Sequence, residues 1–190
     1  MLSADETIDI YKDLTNRGIR TWLVGGWGVD ALLQEHTRPH KDLDLIMLVE
    51  DVARMSAHLV HQGFELKEVW SENQWTIDGQ GTQILTAFVL MDAQERELDF
   101  HAMHLDERGD GIPAWEVAEG FTFTKHDLSG VGTVAGAEVR CITAEKQMLC
   151  HTGYELPAKQ VPDLVRLQEK FSIRYPEELT VLRLAGKSES

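Results

Sequence analysis

Apolar residues recur at helical spacing over 4–17, where Ile8, Tyr11 and Leu14 share a face and Gly18 follows as a stop. A short apolar run, TWLV at 21–24, reads as a buried strand ending at Gly25-Gly26. A helix is predicted over 27–34 on Val29, Leu32 and Leu33, then a loop at 36–41, then a strand, DLDLIMLV, at 42–49. Helical spacing returns over 51–62 through Val52, Met55, Leu59 and Val60, closed by Gly63. From 64 onward the period falls to two: FELKEVW, QWTID, TQILTAFVL and RELDFHAM read as strands, the last two paired through the turn MDAQE. Residues 105–120 read as a loop, or a loop with one helical turn, FTFT at 121–124 as a strand and 131–142 as a hairpin turning at Ala135-Gly136. Thr143 is placed as the N-cap of a helix reaching about Cys150. A longer helix follows over 158–174, then a short one at 177–184 and a disordered GKSES tail. The pattern predicts an α+β fold, a mixed twisted sheet flanked by helices. Residues 1–142 carry the sheet, and 143–190 form a C-terminal helical segment packed on it.

Composition narrows the setting. A chain of 190 residues, 43% hydrophobic and 26% charged, suits a globular domain with a small extension. No apolar run approaches the roughly 20 residues of a membrane helix. The first residues, MLSADETIDIYKDL, carry no apolar signal core, so a cytoplasmic location is expected. Cys141 and Cys150 lack the paired spacing of a zinc site and are read as reduced thiols. The formal charge of −14 leaves no basic footprint for nucleic acid and favours a small, cationic substrate.

Chemistry concentrates in residues 25–45, GGWGVDALLQEHTRPHKDLDL. Asp42 and Asp44 are two apart on a strand, so their carboxylates share a face while Leu43 and Leu45 turn to the core. The plain structural reading of Asp-x-Asp is an exposed strand edge. Gly25-Gly26 just upstream changes that weighting, because a glycine turn opening a helix presents free N–H groups to an anionic phosphate. Oxygen ligands for a hard divalent cation beside a phosphate-binding turn suggest a nucleotide bound as its Mg²⁺ complex. Asp99, between Leu98 and Phe100 in RELDFHAM, is the candidate third carboxylate, as a metal ligand or as acceptor of a hydroxyl proton; Glu97 shares its facing. Asp30, on the helix after the turn, is assigned a structural hydrogen-bonding role.

The order of these features, a hydrophobic strand, GGWGVD, R-x-H-x-D-x-D and a later strand bearing one more Asp, resembles the nucleotidyltransferase superfamily. More narrowly it resembles the small lincosamide and aminoglycoside nucleotidyltransferases, through GGWGVD, LDFH at 98–101 and HTGYEL at 151–156. The likeness runs from about Thr21 to Leu167. It implies a nucleotidyltransferase-like fold and transfer of a nucleoside monophosphate, with AMP from ATP expected, to a hydroxyl of a small antibiotic-like molecule. It implies two Mg²⁺ ions on Asp42, Asp44 and Asp99, and Gly25, Gly26, Arg38 and His40 at the nucleotide. His101, two residues past Asp99, together with Trp75 and Tyr154, are candidates to line the acceptor, with Trp70 and His151 as further ones. Such enzymes often form homodimers, although no interface stripe stands out here. Two other readings stand beside this one: a nucleotide-binding module without transfer activity, and an enzyme that modifies a protein hydroxyl.

Overall fold

The computed structural model describes residues 1–77, 79–152 and 156–174. Ser3 opens α1 (Ala4–Asn16) with a reciprocal cap: its hydroxyl accepts from the Glu6 N–H, and the Glu6 carboxylate accepts from the Ser3 N–H at 2.9 Å. β1 (Thr21–Leu23) leads into α2 (Gly25–Leu33), which starts two residues earlier than the apolar spacing suggests. β2 (Asp42–Leu48), α3 (Val49–His61) and β3 (Glu65–Val69) follow, then the small β4–β5 hairpin (Thr76–Ile77 and Gln83–Ile84). Next come β6 (Ala87–Met91) and β7 (Glu97–Leu105), paired through the expected turn. β8 (Gly111–Pro113), β9 (Gly130–Val134) and β10 (Ala137–Cys141) complete the strands. α4 (Ala144–Leu149) is capped by Thr143 as predicted, and α5 (Val161–Phe171) has Pro162 in its first turn.

The main sheet runs β3-β6-β7-β2-β1-β10-β9, with β8 on β7. It is mixed: β2 is parallel to β7 and antiparallel to β1, and β1 is parallel to β10. Alternation along β2 and β7 sends Leu43, Leu45, Met47, Leu98, Phe100 and Ala102 into one large core shared with α1, α2 and α3. The opposite face is divided along its length. Its far end, with Ile46, Leu48 and Met103, joins Trp22, Phe123 and Ile142 in a second apolar cluster. Its near end, where β2 and β7 begin, carries carboxylates.

Three expectations change. TQILTAFVL is not one strand: the chain breaks between β5 and β6 at the fully buried Thr86, whose hydroxyl donates to the Gln74 carbonyl at 2.7 Å. The 105–120 segment contains β8 and docks on β7, so it is not simply a loop. FTFT makes only a single bridge, Phe123 to Gly111, because Phe121 and Phe123 turn inward around the buried Lys146 ammonium, 3.9 and 4.8 Å from their ring centres. The helix expected at 177–184 and the tail lie outside the described residues. Both cysteines are free, and burial pushes each thiol up to about 12. No helix among the described residues is long and apolar enough to cross a membrane.

Asp92, in the β6–β7 turn, is 5% exposed. Burial raises its carboxyl, but the Arg96 side chain (Nε at 2.6 Å) and the backbone N–H groups of Arg96 and Gln94 outweigh that and hold it below its usual value. A depressed carboxylate contributes stability above its unfolded value near 3.9, and this is lost as pH falls through the folded one. Asp92→Asn is therefore expected to cost about 1–3 kcal/mol in urea unfolding at pH 7. The deficit should shrink as pH falls below about 4 and through the lowered folded value, where the wild-type carboxyl also loses its charge. An equal deficit at both pH values would contradict this account.

Candidate active site

The β2–β7 pairing places the site. Its register sets Asp42 beside Glu97, Asp44 beside Asp99 and Ile46 beside His101, all on one face. Asp42 and Asp44 are half-buried, and Asp99 is 9% exposed. Burial and the neighbouring charges of Asp42 and Asp99 push the Asp44 carboxyl well above its ordinary range, with only the Arg38 charge opposing them. Glu97, the competitor on the same face, is already neutralised by Lys67 at 2.6 Å and Lys41 at 3.0 Å. Asp42, Asp44 and Asp99 are hard oxygen donors of the kind that Mg²⁺ prefers, although their ligand atoms do not all lie within 4.8 Å of one another.

β1 runs antiparallel to β2, so its end delivers the α2 N-terminus to the start of β2. Gly25 has φ +57°, and a Cβ there would lie 2.0 Å from Asp44 Oδ2. A Cβ on Gly26 would lie 2.2 Å from His40 Nδ1. Close approach therefore favours glycine at both places, and at Gly25 the left-handed backbone does so as well. No side chain caps this helix, which leaves the N–H groups of its first turn directed at the carboxylate end of the sheet. Behind the turn, Gln147 of α4 donates to the Gly25 carbonyl at 2.6 Å, and the buried His151 donates to the Gln147 carbonyl at 2.7 Å. His151 thus supports the glycine turn from behind; burial holds its imidazole below the usual value. Gln147 has no distinctive spacing, so the sequence offered no signal for it.

Arg38 and His40 belong to one buried network. Arg38 donates to Asp163 of α5 at 2.8 Å and to His40 Nδ1 at 3.1 Å. Arginine can only donate, so His40 Nδ1 accepts and Nε2 carries the proton, given to Asp30 at 2.7 Å. Asp30 also accepts from His36 at 3.0 Å and from the Thr37 hydroxyl at 2.6 Å. Burial raises the Asp30 carboxyl, but these bonds outweigh it and hold the group ionised. Among the described residues, Asp30, His36 and His40 are the one trio whose ligand atoms all lie within 4.8 Å of one another. A metal on His40 Nε2 would put a proton on Nδ1, facing the Arg38 guanidinium, so the hydrogen-bonded arrangement suits these residues better. Trp27 is buried in the same packing, against His36 and His40, as a core residue.

On the other side of Asp99, His101 lies 3.4 Å from the Asp99 carboxylate and 3.4 Å from Glu72, with Trp115 edge-on at 4.9 Å. Trp75 stands 61% exposed beside the β4–β5 hairpin. The aromatic residue that meets a site carboxylate is Trp70, whose indole N–H points at both oxygens of Asp99. Tyr154 lies outside the described residues.

This assembly, two parallel strands carrying paired carboxylates beneath a glycine-opened helix, is the frame of a nucleotidyltransferase. The fold matches that of the lincosamide adenylyltransferase LnuA with lincomycin bound (TM-score 0.71, 23% identity, 88% of this chain and 97% of that one). It also matches ANT(2")-Ia in complex with adenylyl-2"-tobramycin (TM-score 0.63, 21% identity, 97% of each chain). A lincosamide resistance protein of Staphylococcus haemolyticus is 25% identical over 161 residues, 85% of this chain and 89% of that protein. The model of the aminoglycoside-2''-adenylyltransferase family matches residues 6–167, and the chain belongs to that family. It is accordingly a nucleotidyltransferase.

Gly25→Ala tests the close approach. A methyl group there must displace the Asp44 carboxylate, and a left-handed alanine costs about 1–2 kcal/mol. Nucleotide turnover should fall on the order of 100-fold, with the melting temperature lowered by only a few degrees. Full turnover would show that the glycine is needed for the turn alone.

Proposed function

We propose that this protein transfers AMP from ATP to a hydroxyl of a small, amine-bearing antibiotic, with a lincosamide favoured over an aminoglycoside, and releases pyrophosphate. The observation that carries this reading is the carboxylate set on β2 and β7 facing the uncapped N-terminus of α2. Asp42 and Asp44 would hold Mg²⁺, with Asp99 within reach of a second ion. The metal would supply neutralisation of the phosphate oxygens and of the leaving pyrophosphate. The first-turn N–H groups at Gly25 and Gly26 bind the outer phosphates of the nucleotide. Arg38 and His40, fixed by Asp163 and Asp30, hold the 36–41 loop against Asp42, and Arg38 adds positive charge beside Asp44. Asp99 accepts the hydroxyl proton of the acceptor as that oxygen bonds to the α-phosphorus and the bond to pyrophosphate breaks. The −14 charge and the carboxylate of Glu72 beside His101 favour an acceptor carrying an amine. The lincosamide preference follows the higher TM-score with LnuA and the curated lincosamide relative.

Incubation with an antibiotic panel, ATP and Mg²⁺, read by mass spectrometry, is expected to add one nucleoside monophosphate to the acceptor. Asp42→Asn and Asp44→Asn should each lower pyrophosphate release on the order of 10³-fold or more while leaving the circular dichroism spectrum unchanged. Nucleotide binding with no product across the panel would instead favour a binding module. Labelled protein bands in a lysate would favour a protein-modifying enzyme. Wild-type turnover in both variants would remove the proposed roles of these two aspartates.

A further inference from the structure

One carboxylate of the site has a dedicated donor. Trp70 Nε1 lies 3.0 Å from Asp99 Oδ1 and 3.1 Å from Oδ2, so a single indole N–H is shared evenly by the two oxygens. A donor in that position fixes the plane of the carboxylate and occupies its open mouth. A cation chelated by both Asp99 oxygens at once would have to displace the indole. The His101 ring is farther, its Nδ1 3.4 Å from Asp99 Oδ1.

The segment carrying Trp70 is held in place from several directions. The Trp70 N–H donates to the Ala87 carbonyl at 3.1 Å. Asn73 Oδ1 accepts from the N–H groups of Thr86 at 2.8 Å and Ala87 at 3.2 Å. The buried Thr86 hydroxyl accepts from the Gln74 N–H at 2.9 Å and donates to the Gln74 carbonyl. The Glu116 N–H donates to the Glu72 carbonyl at 2.7 Å. The break between β5 and β6 at Thr86 is what makes room for these bonds. A half-buried indole needs some acceptor for its N–H, and a carbonyl would satisfy it. Here the acceptor is the carboxylate proposed above to take the proton of the attacking hydroxyl.

We propose that Trp70 is a positioning residue for that step: its N–H sets the orientation of the Asp99 carboxylate toward the acceptor hydroxyl and confines Asp99 to single-oxygen contacts with any cation. Loop 70–74, braced on Thr86, is the structural support. The inference rests on the transfer reading given above, and its test has one arm that does not need activity.

Trp70→Phe keeps the ring and removes the donor. It is expected to lower kcat about tenfold, equivalent to about 1.4 kcal/mol of transition-state stabilisation, with the KM for ATP within twofold and the melting temperature close to wild type. Separately, the five tryptophans give five indole ¹⁵N–¹H resonances. One should vanish in Trp70→Phe, and the same one should shift in Asp99→Asn while the other four stay in place. A wild-type kcat in Trp70→Phe overturns the proposal. So does a loss of kcat that merely follows a fall in melting temperature, or an indole resonance unmoved by Asp99→Asn. If the wild-type protein transfers nucleotide to no acceptor, the functional reading fails, and the resonances still decide whether the indole holds Asp99.

Discussion

The parallel pairing of β2 with β7 is the constraint from which the site follows. One register sets Asp44 beside Asp99 on the same face on which Ile46 and Met103 enter an apolar cluster. A slip of one residue would turn the carboxylates into the main core and the leucines out to solvent. The apolar layers on both faces therefore lock the register, and the register gathers the negative charge. That charge is unfavourable in isolation, as the raised Asp44 carboxyl shows. Its relief must come from positive partners; among the described residues Arg38 opposes it at Asp44 and Lys41 at Asp42.

Around this pair the fold spends its buried polar groups on holding things still. Gln147 and His151 brace the glycine turn from α4. Asp163 of α5 and Asp30 of α2 fix Arg38 and His40. Trp70, on a loop fastened to Thr86, meets Asp99. α4 and α5 are thus more than an appendage to the sheet: Gln147 of α4 supports the glycine turn, and Asp163 of α5 holds Arg38 of the 36–41 loop. Positioning of this kind suits phosphoryl transfer, where orientation and charge stabilisation carry most of the catalysis.

Much of this was legible in the residues. The strand bearing Asp42 and Asp44, the shared facing of Asp99 and His101, the Thr143 cap and the hydrogen-bonding role of Asp30 all follow from local periodicity and side-chain chemistry. The errors fell where tertiary contacts override period. TQILTAFVL alternates well enough for one strand, but Thr86 bonds to the Asn73 side chain and the Gln74 backbone instead and splits it. FTFT has strand propensity, yet its phenylalanines close over Lys146.

By itself, the sequence determined the kind of chemistry: paired carboxylates, a glycine turn and an acidic surface are matters of residue type and short spacing, readable without knowing what lies opposite. Only the tertiary structure decided the partners. That Asp44 lies beside Asp99, that Glu97 is neutralised by Lys41 and Lys67, that Trp70 rather than Trp75 meets a site carboxylate, and that Asp163 and Gln147 reach Arg38 and the Gly25 carbonyl from late in the chain all depend on contacts between residues tens of positions apart. Such contacts are set by strand register and helix packing, which leave no local mark in the order of the residues.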